Sequence, residues 1–97
     1  MKRAVFRPVA KEEVDEAFGW YEARERGLGR RFLRALDKTI SAIETFPKMF
    51  QYVTSDFRQA LIKNFPYSVL YIEEEERIVI LAVFHLSRDP VIREERF

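Results

Sequence analysis

The chain has 97 residues, of which 47% are hydrophobic and 34% are charged, and 17 basic against 16 acidic residues leave a net charge of +1. This composition is typical of a globular domain and not of a disordered chain. The small net charge argues against a surface that is basic overall and attracts nucleic acid, so any basic site must be local. The chain contains no cysteine and one histidine, which excludes disulfides and thiolate metal sites, and we expect neither a metal nor another cofactor.

The first half of the chain predicts a strand followed by two helices. Residues 3–7 form a short apolar stretch typical of a strand, and Pro8 opens a helical pattern that runs to about Arg26. The segment 27–29, Gly-Leu-Gly, interrupts this pattern, and a second helix follows to Thr45. So short a link predicts an antiparallel helical hairpin. The predicted apolar stripes consist of Val9, Val14, Ala17, Phe18 and Tyr21 on the first helix, and of Phe32, Leu33, Leu36, Ile40 and Ile43 on the second.

The second half predicts strands. Residues 46–53 predict a loop that leads into a short strand, and residues 56–65 predict a strand with mixed faces. Residues 66–74 are rich in β-branched and aromatic residues and predict another strand. The glutamates at residues 73–76 predict a charged turn after it. The last strand, residues 77–85, is apolar on both faces and is expected in the interior of the sheet.

The elements follow the order β-α-α-β-β-β and predict an α+β fold, in which the hairpin packs on one face of a small, mostly antiparallel sheet. We expect one domain over residues 1–97. Because the last strand is apolar on both faces, its other face needs a cover, which can be the polar C-terminal tail, a partner or a substrate.

Four residues are candidates for chemistry. His85 ends the last strand and can transfer protons near neutral pH, although a structural hydrogen bond is the more frequent role of such a residue. Arg88 can bind phosphate or carboxylate in a fork, or pair with a neighbouring acid. Arg58 and Lys63 lie five residues apart on one predicted strand, so they point to opposite faces unless a bulge intervenes.

Two further groups of side chains have a structural and a functional interpretation. Tyr67 and Tyr71 share one strand face and can stack on bases, but a core or partner-facing role is more frequent. Arg30, Arg31 and Arg34 form a row on the second helix, which is usually a solvated face and can instead meet an acidic partner or DNA.

No apolar run approaches the roughly 18 residues that span a bilayer, and the N-terminal residues lack the apolar core of a signal peptide. We therefore expect a cytoplasmic protein without a membrane partner.

The order and spacing of segments over nearly all of the chain resemble the RelE/ParE superfamily of type II toxin–antitoxin toxins, also called plasmid-stabilisation proteins. The matching segments are AKEEVDEAFGWYEAR, GLGRRFLRALDKTISAIETFP, DFRQALIKNFPYSVLYIEEEERIVILAVFH and the closing HLSRDP. The resemblance implies a cytoplasmic toxin and a cognate antitoxin that wraps it along its apolar surfaces. The expected assembly is a homodimer or a hetero-oligomer with the antitoxin.

The superfamily divides by mechanism. RelE-like toxins cut mRNA in the ribosomal A site with basic residues and a tyrosine or histidine, whereas ParE-like toxins inhibit DNA gyrase and lack that catalytic set. The two long predicted helices are more similar to ParE, so the resemblance implies growth arrest through gyrase, without catalysis.

Two alternatives stay open. A RelE-like, ribosome-dependent mRNA endonuclease would use His85 as acid or base and Arg58 and Arg88 to hold phosphate, with Lys63 as a further basic residue. A non-toxic protein that only binds its antitoxin and regulates their shared promoter is the other alternative.

Overall fold

The computed structural model describes residues 1–87, and these form two helices and a five-stranded sheet. The elements are β1 (Arg3–Phe6), α1 (Pro8–Arg24), α2 (Leu28–Thr45), β2 (Gln51–Tyr52), β3 (Arg58–Leu61), β4 (Tyr67–Glu73) and β5 (Arg77–His85). The strand order is β1-β5-β4-β3-β2, in which β1 runs parallel to β5 and the other neighbours are antiparallel. The predicted α+β fold is confirmed. The two-residue β2 is the short strand expected in residues 46–53, which the predicted order β-α-α-β-β-β did not count separately.

The link between the helices is set by two glycines and one carboxylate. Gly27 has a φ of 89°, in the left-handed region that favours glycine, and this lets the chain reverse between α1 and α2. Since Gly27 has no side chain with which to cap α2, the Glu22 carboxylate accepts hydrogen bonds from the backbone N–H groups of Gly27 and Gly29, at 2.9 and 3.0 Å. These bonds lower the pKa of Glu22.

Gly29 allows the two helices to approach closely. A Cβ atom at this position would lie 2.8 Å from the Phe18 ring and 2.9 Å from the Phe18 carbonyl oxygen. The glycine that sequence reasoning assigned to the break therefore also serves as a contact point inside the hairpin.

The main core lies between the hairpin and the sheet. Four aromatic rings, Tyr21, Phe32, Phe65 and Tyr67, meet there with ring centroids 5.1 to 6.1 Å apart and join both helices to β4 and the turn before it. The predicted stripe of α2 is confirmed, whereas the stripe of α1 begins at the buried Ala10 and not at Val9, which is 41% exposed.

A β-bulge changes the faces of β5 midway along the strand. Leu70 pairs with Ala82 and Tyr71 pairs with Ile80, so Leu81 has no partner of its own on β4. Leu81 and Ala82 consequently lie on the same face, away from the helices. Beyond the bulge, Val83 and His85 lie on the helix side, where simple alternation along the strand would not place them.

The sheet face away from the helices carries a second, smaller apolar cluster. Its buried members are Phe57, Leu70, Val79, Leu81, Ala82 and Phe84, and Ile72 packs against them. The six buried members are at most 7% exposed, so this part of the face is not an open apolar surface. The predicted C-terminal tail lies outside the described residues from position 88 onward.

The predicted strand at residues 56–65 is wrong in length, since β3 ends at Leu61. Asn64 adopts a φ of 71° and Pro66 has no N–H to donate, so residues 62–66 form a turn instead of continuing the ladder. Lys63 therefore lies on this turn, and the alternation of strand faces does not apply to it.

The outer edge of β1 is capped by α2. The Glu44 carboxylate accepts a hydrogen bond of 2.7 Å from the backbone N–H of Ala4, which would otherwise lie at the end of the sheet. Among the helices of residues 1–87, none is both long and apolar enough to cross a membrane.

Candidate interaction surface

A groove of about 690 Å³ runs along α2, opposite the turn that follows β3. Its residues come from α2, from the loop before β2 and from the end of β3 with its turn. They are Leu28, Arg31, Arg34, Ala35, Lys38, Thr39, Ala42, Phe50, Leu61, Lys63, Asn64 and Phe65. Four of these side chains are basic and none is acidic, and we refer to this feature as the basic groove.

The basic side chains lie on both sides of the groove. Arg31, Arg34 and Lys38 follow one another at spacings of three and four residues, which places them in one row on α2. Lys63 lies on the opposite side, on the turn after β3. Although the whole chain carries a net charge of only +1, the groove thus concentrates positive charge.

Within residues 1–87, most of these basic side chains form no ion pair. Arg31 forms an exposed ion pair with Glu25 at 3.4 Å. Over residues 1–87, Arg34, Lys38 and Lys63 form no ion pair within 4.0 Å. Their charges are consequently available to an acidic ligand.

The floor of the groove is apolar and packs against rings of the main core. Phe65 contacts the core rings of Tyr21 and Phe32 at 5.1 and 5.4 Å between centroids, both edge to face. Phe50 contacts Tyr71 in the same manner at 6.3 Å. Leu61 is 61% exposed at the rim, so an apolar ligand side chain entering the groove would displace water from a preformed surface.

A second open surface adjoins the basic groove at the edge strand β2. Phe50 and Leu61 line both surfaces, and Tyr52 and Val53 are exposed beside them. Exposed apolar side chains therefore continue from the groove to the edge of the sheet, as is usual at protein-binding sites.

The predicted site residue Arg58 is engaged in holding the loop before β2. Its Nη1 donates hydrogen bonds to the carbonyl oxygens of Lys48 and Phe50 at 3.1 and 2.7 Å, and its guanidinium lies 3.9 Å from the centroid of the Tyr52 ring. Below it, the Tyr71 hydroxyl donates to the carbonyl oxygen of Pro47 at 2.6 Å.

Tyr67 and Tyr71 are both buried in the helix-side core, in agreement with the structural interpretation of this pair. Burial raises the pKa of Tyr71 to about 12, so its hydroxyl keeps its proton and remains a hydrogen-bond donor at neutral pH.

The predicted site residue His85 lies against α1 at the other end of the sheet. Its ring meets Tyr67 edge to face at 5.2 Å between centroids and shares a small pocket of about 200 Å³ with Glu13, Glu16 and Trp20. The His85 Nδ1 accepts a hydrogen bond of 3.2 Å from the backbone N–H of Ser87.

Within residues 1–87, the structure separates the predicted site residues Arg58 and His85. Arg58 pairs with Tyr71 and His85 pairs with Tyr67, so the two lie four residues apart along the strands and two strands apart across the sheet. Strand geometry converts this offset into roughly 16 Å between their Cα atoms. Lys63 lies in the basic groove, and Arg88 lies outside the described residues.

The basic groove was missed by sequence reasoning, although part of its signal was visible. The arginine row was singled out, and two of its members, Arg31 and Arg34, line the groove while Arg30 does not. The spacing of Lys38 four residues after Arg34 extends the same row. Lys63 reaches the groove because the chain turns after β3. The sequence predicted a strand through residue 65 instead of this turn, so the position of Lys63 was not expected.

No group of three or more histidine, cysteine, aspartate or glutamate side chains within residues 1–87 is arranged to hold a metal ion.

Comparison with known proteins places the chain in one family. The sequence model of the ParE toxin of the type II toxin–antitoxin system, parDE, matches residues 4–90. A solved structure of the chromosomal ParDE TA system from P. aeruginosa has the same fold, with a TM-score of 0.78 and 11% identity, over 90% of this chain and 98% of that chain. No curated protein sequence matches the chain. Since the family match covers most of the sequence, the chain belongs to the ParE toxin family of type II toxin–antitoxin systems.

Proposed function

We propose that this ParE-family toxin arrests growth in the cytoplasm by inhibiting DNA gyrase, without catalysis, and that a cognate antitoxin neutralises it. Family membership supports the ParE branch of the resemblance seen in the sequence. The lengths of the helices, 17 residues in α1 and 18 in α2, agree with the long helices on which that branch was chosen.

The observation that carries this proposal is the separation of Arg58 from His85 in the sheet. An mRNA endonuclease of the RelE type needs its acid–base group and its phosphate-holding cations around a single scissile bond. Here Arg58 is engaged by two carbonyl oxygens and Tyr52 and lies two strands from His85. Lys63 lines the basic groove, and His85 does not. This arrangement favours a toxin that acts by binding its target.

The proposal of an antitoxin partner is supported by the surface of the toxin. The basic groove and the adjoining apolar surface at β2 combine uncompensated charge with exposed apolar side chains, and this combination is typical of a surface that binds a protein. The proposed assembly is a hetero-oligomer of toxin and antitoxin.

A gyrase assay tests the proposed target. Purified toxin added to DNA gyrase, relaxed plasmid and ATP is expected to reduce supercoiling, or to trap cleaved DNA, in proportion to the toxin concentration. The same toxin added to translating ribosomes is expected to leave the mRNA intact. His85→Ala is expected to inhibit gyrase as strongly as the wild type, because His85 has no catalytic role under this proposal.

Other results would support the alternatives. Cuts in ribosome-bound mRNA that disappear in His85→Ala, but persist in the exposed control Lys11→Ala, would support the RelE-like endonuclease. Induction without growth arrest would support the non-toxic co-regulator.

Neutralisation is tested by co-expression. The product of the small open reading frame beside this gene is expected to restore growth and to co-purify with the toxin. Continued growth arrest in its presence would contradict the proposed pairing.

A further inference from the structure

We propose that residues 88–97 of the same chain cover the sheet face away from the helices, with the apolar side chains of Val91, Ile92 and Phe97 on the second apolar cluster. The face is then an interface within one chain, and neither an antitoxin nor a target is needed to shield it. The proposal is independent of the proposed function, because it concerns the fold of the free protein.

The second apolar cluster is buried more deeply than a sheet alone can achieve. Leu70 and Ala82 have no exposed surface and Leu81 is 2% exposed, all within a single chain. Side chains on one face of a sheet that contact only their neighbours in that sheet keep their outer ends in water, unless another layer packs on them. The burial of these three side chains therefore requires a cover on the face away from the helices.

The elements of residues 1–87 do not supply this cover. Both helices contribute to the main core on the opposite face, and no residue of α1 or α2 belongs to the second apolar cluster. The members of the cluster lie on β4 and β5, apart from Phe57, which directly precedes β3. The part of the chain left to cover them is residues 88–97.

Val5 shows how exposed this face is where it lacks a cover. It pairs with Val79 on β5, and its neighbours Ala4 and Phe6 pack against the main core, so Val5 itself lies on the face away from the helices. Val5 is 41% exposed, whereas Val79 is 7% exposed. The cover consequently extends over β4 and β5 and ends before β1, and this small area suits a short segment of chain.

The length and the starting point of residues 88–97 fit this area. Phe84 belongs to the cluster, and the backbone N–H of Leu86 donates to the carbonyl oxygen of Pro66 at 2.9 Å, so the chain is still beside the sheet at this point. Ten extended residues span about 33 Å. The cluster measures roughly 17 Å along β5 from Val79 to Phe84 and about 10 Å from β5 to β3, so every member lies within reach.

The composition of this segment suits a cover that is apolar on one side. Val91, Ile92 and Phe97 are large apolar residues, and burying them on the cluster removes apolar surface of both from water. The charged residues of the segment can remain in water; they are Arg88, Asp89, Arg93, Glu94, Glu95 and Arg96. The match to the family model ends at residue 90 and includes none of the three apolar residues.

Photo-crosslinking of the full-length protein tests where the segment lies. Phe97 is replaced by p-benzoylphenylalanine, which keeps an aromatic ring and forms bonds with nearby C–H groups on irradiation. We expect links within one chain to Phe57 or to cluster residues of β4 and β5, located by mass spectrometry of the digested protein. The same group in place of Lys11, which is exposed on α1, is the control and is expected to give no such links.

Two aspartates in the full-length protein test the apolar contact. Val91→Asp/Ile92→Asp is expected to raise the fluorescence of the apolar dye anilinonaphthalene sulfonate by roughly threefold or more, because the cluster becomes exposed. The control Arg93→Asp changes the net charge by the same amount in the same segment and is expected to match the wild type. Should circular dichroism show that the double variant is unfolded, Ile92→Ala is expected to lower the urea midpoint while Arg93→Ala leaves it unchanged.

The other outcomes overturn the proposal. Links between two chains, seen at twice the mass of the protein, would assign the face to a second copy. No links, or strong dye binding by the wild type, would show an open face that a partner has to cover. Equal dye fluorescence of the wild type and the folded double variant would show that Val91 and Ile92 do not shield the cluster. None of these measurements involves gyrase, ribosomes or an antitoxin, so their failure leaves the proposed function unaffected.

Discussion

At Gly29 the two helices of the hairpin pack too closely to accommodate a side chain. A methyl group at this position meets the Phe18 carbonyl oxygen, which belongs to a helix backbone and cannot move aside as a flexible side chain can. Gly19 lies within α1 and faces open space, with nothing within 4 Å of an added Cβ. Although both glycines lie in helices, the structure has room for a side chain at Gly19 and none at Gly29.

Alanine substitutions at these two glycines are expected to change stability in opposite directions. Gly29→Ala should lower the free energy of unfolding by about 1–3 kcal/mol, because overpacking outweighs the gain in helix propensity. Gly19→Ala should raise it by about 0.5–1 kcal/mol, since alanine restricts the unfolded chain and favours the helix. Urea denaturation of both variants measures the difference, and a stabilised Gly29→Ala would contradict the close approach.

Ser68 is a buried polar residue of β4 whose side chain lacks a hydrogen-bond partner among residues 1–87. Its side chain is buried, and no group among residues 1–87 forms a hydrogen bond with its Oγ. Ser68→Ala is expected to raise the free energy of unfolding by up to about 1 kcal/mol, because the buried hydroxyl no longer has to be stripped of water. A destabilised alanine variant in thermal or urea unfolding would show that the hydroxyl has a partner.

At the scale of elements, the sequence predicted those parts of the fold that depend on neighbouring residues. Both helices, the break between them and the full extent of β5 agree with the structure, because apolar periodicity, Pro8 and the segment 27–29 are local signals. The true length of β3 and the bulge at Leu81 were missed, since pairing between strands determines both. The basic groove was missed for the same reason, as it joins Lys63 to a helix some 30 residues earlier.

The capping of α2 by Glu22 gives a prediction for the hairpin as an element. Glu22→Ala removes the acceptor of two backbone N–H groups at the start of α2 and a negative charge near the positive end of its dipole. We expect it to lower the unfolding temperature more than Glu25→Ala does, since the Glu25 carboxylate forms an exposed ion pair with Arg31 and exposed pairs contribute little. Differential scanning calorimetry compares the two variants, and equal unfolding temperatures would contradict the capping role.

At the scale of the whole molecule, Glu73 at the end of β4 joins segments that are far apart in the chain. Its carboxylate accepts hydrogen bonds from Lys2 at 3.0 Å and from Lys48 at 2.8 Å, and so it connects the N-terminus with the loop before β2. The two ammonium groups lower the pKa of Glu73 below its ordinary value of 4.5. A carboxylate with a lowered pKa in the folded state stabilises the fold only while it is ionised.

Because the pKa of Glu73 is lowered in the folded state, the ion pairs of Glu73 are expected to stabilise the protein less at acidic pH. Glu73 makes its full contribution to the free energy of unfolding above about pH 4.5, the ordinary value of its pKa. This contribution is lost as the pH falls through the lower pKa of Glu73 in the folded state. Glu73→Gln is expected to cost about 1 kcal/mol or less at pH 7, and its unfolding free energy should approach that of the wild type as the pH falls below 4. Urea denaturation between pH 3 and 7 measures both curves, with the exposed Glu75→Gln as the matched control. A constant difference across this range would contradict the ionic link.

The bond between Glu44 and Ala4 has a consequence for how the free toxin behaves at high concentration. An uncovered edge strand is a template on which a second chain can add its own strand, and repeated addition produces insoluble aggregates. Here a carboxylate occupies that position on β1 and would repel an incoming backbone carbonyl, while the opposite edge strand has only two residues. Strand addition at the Ala4 position of β1 is therefore unfavourable, which gives the free protein a structural reason to resist aggregation through this edge.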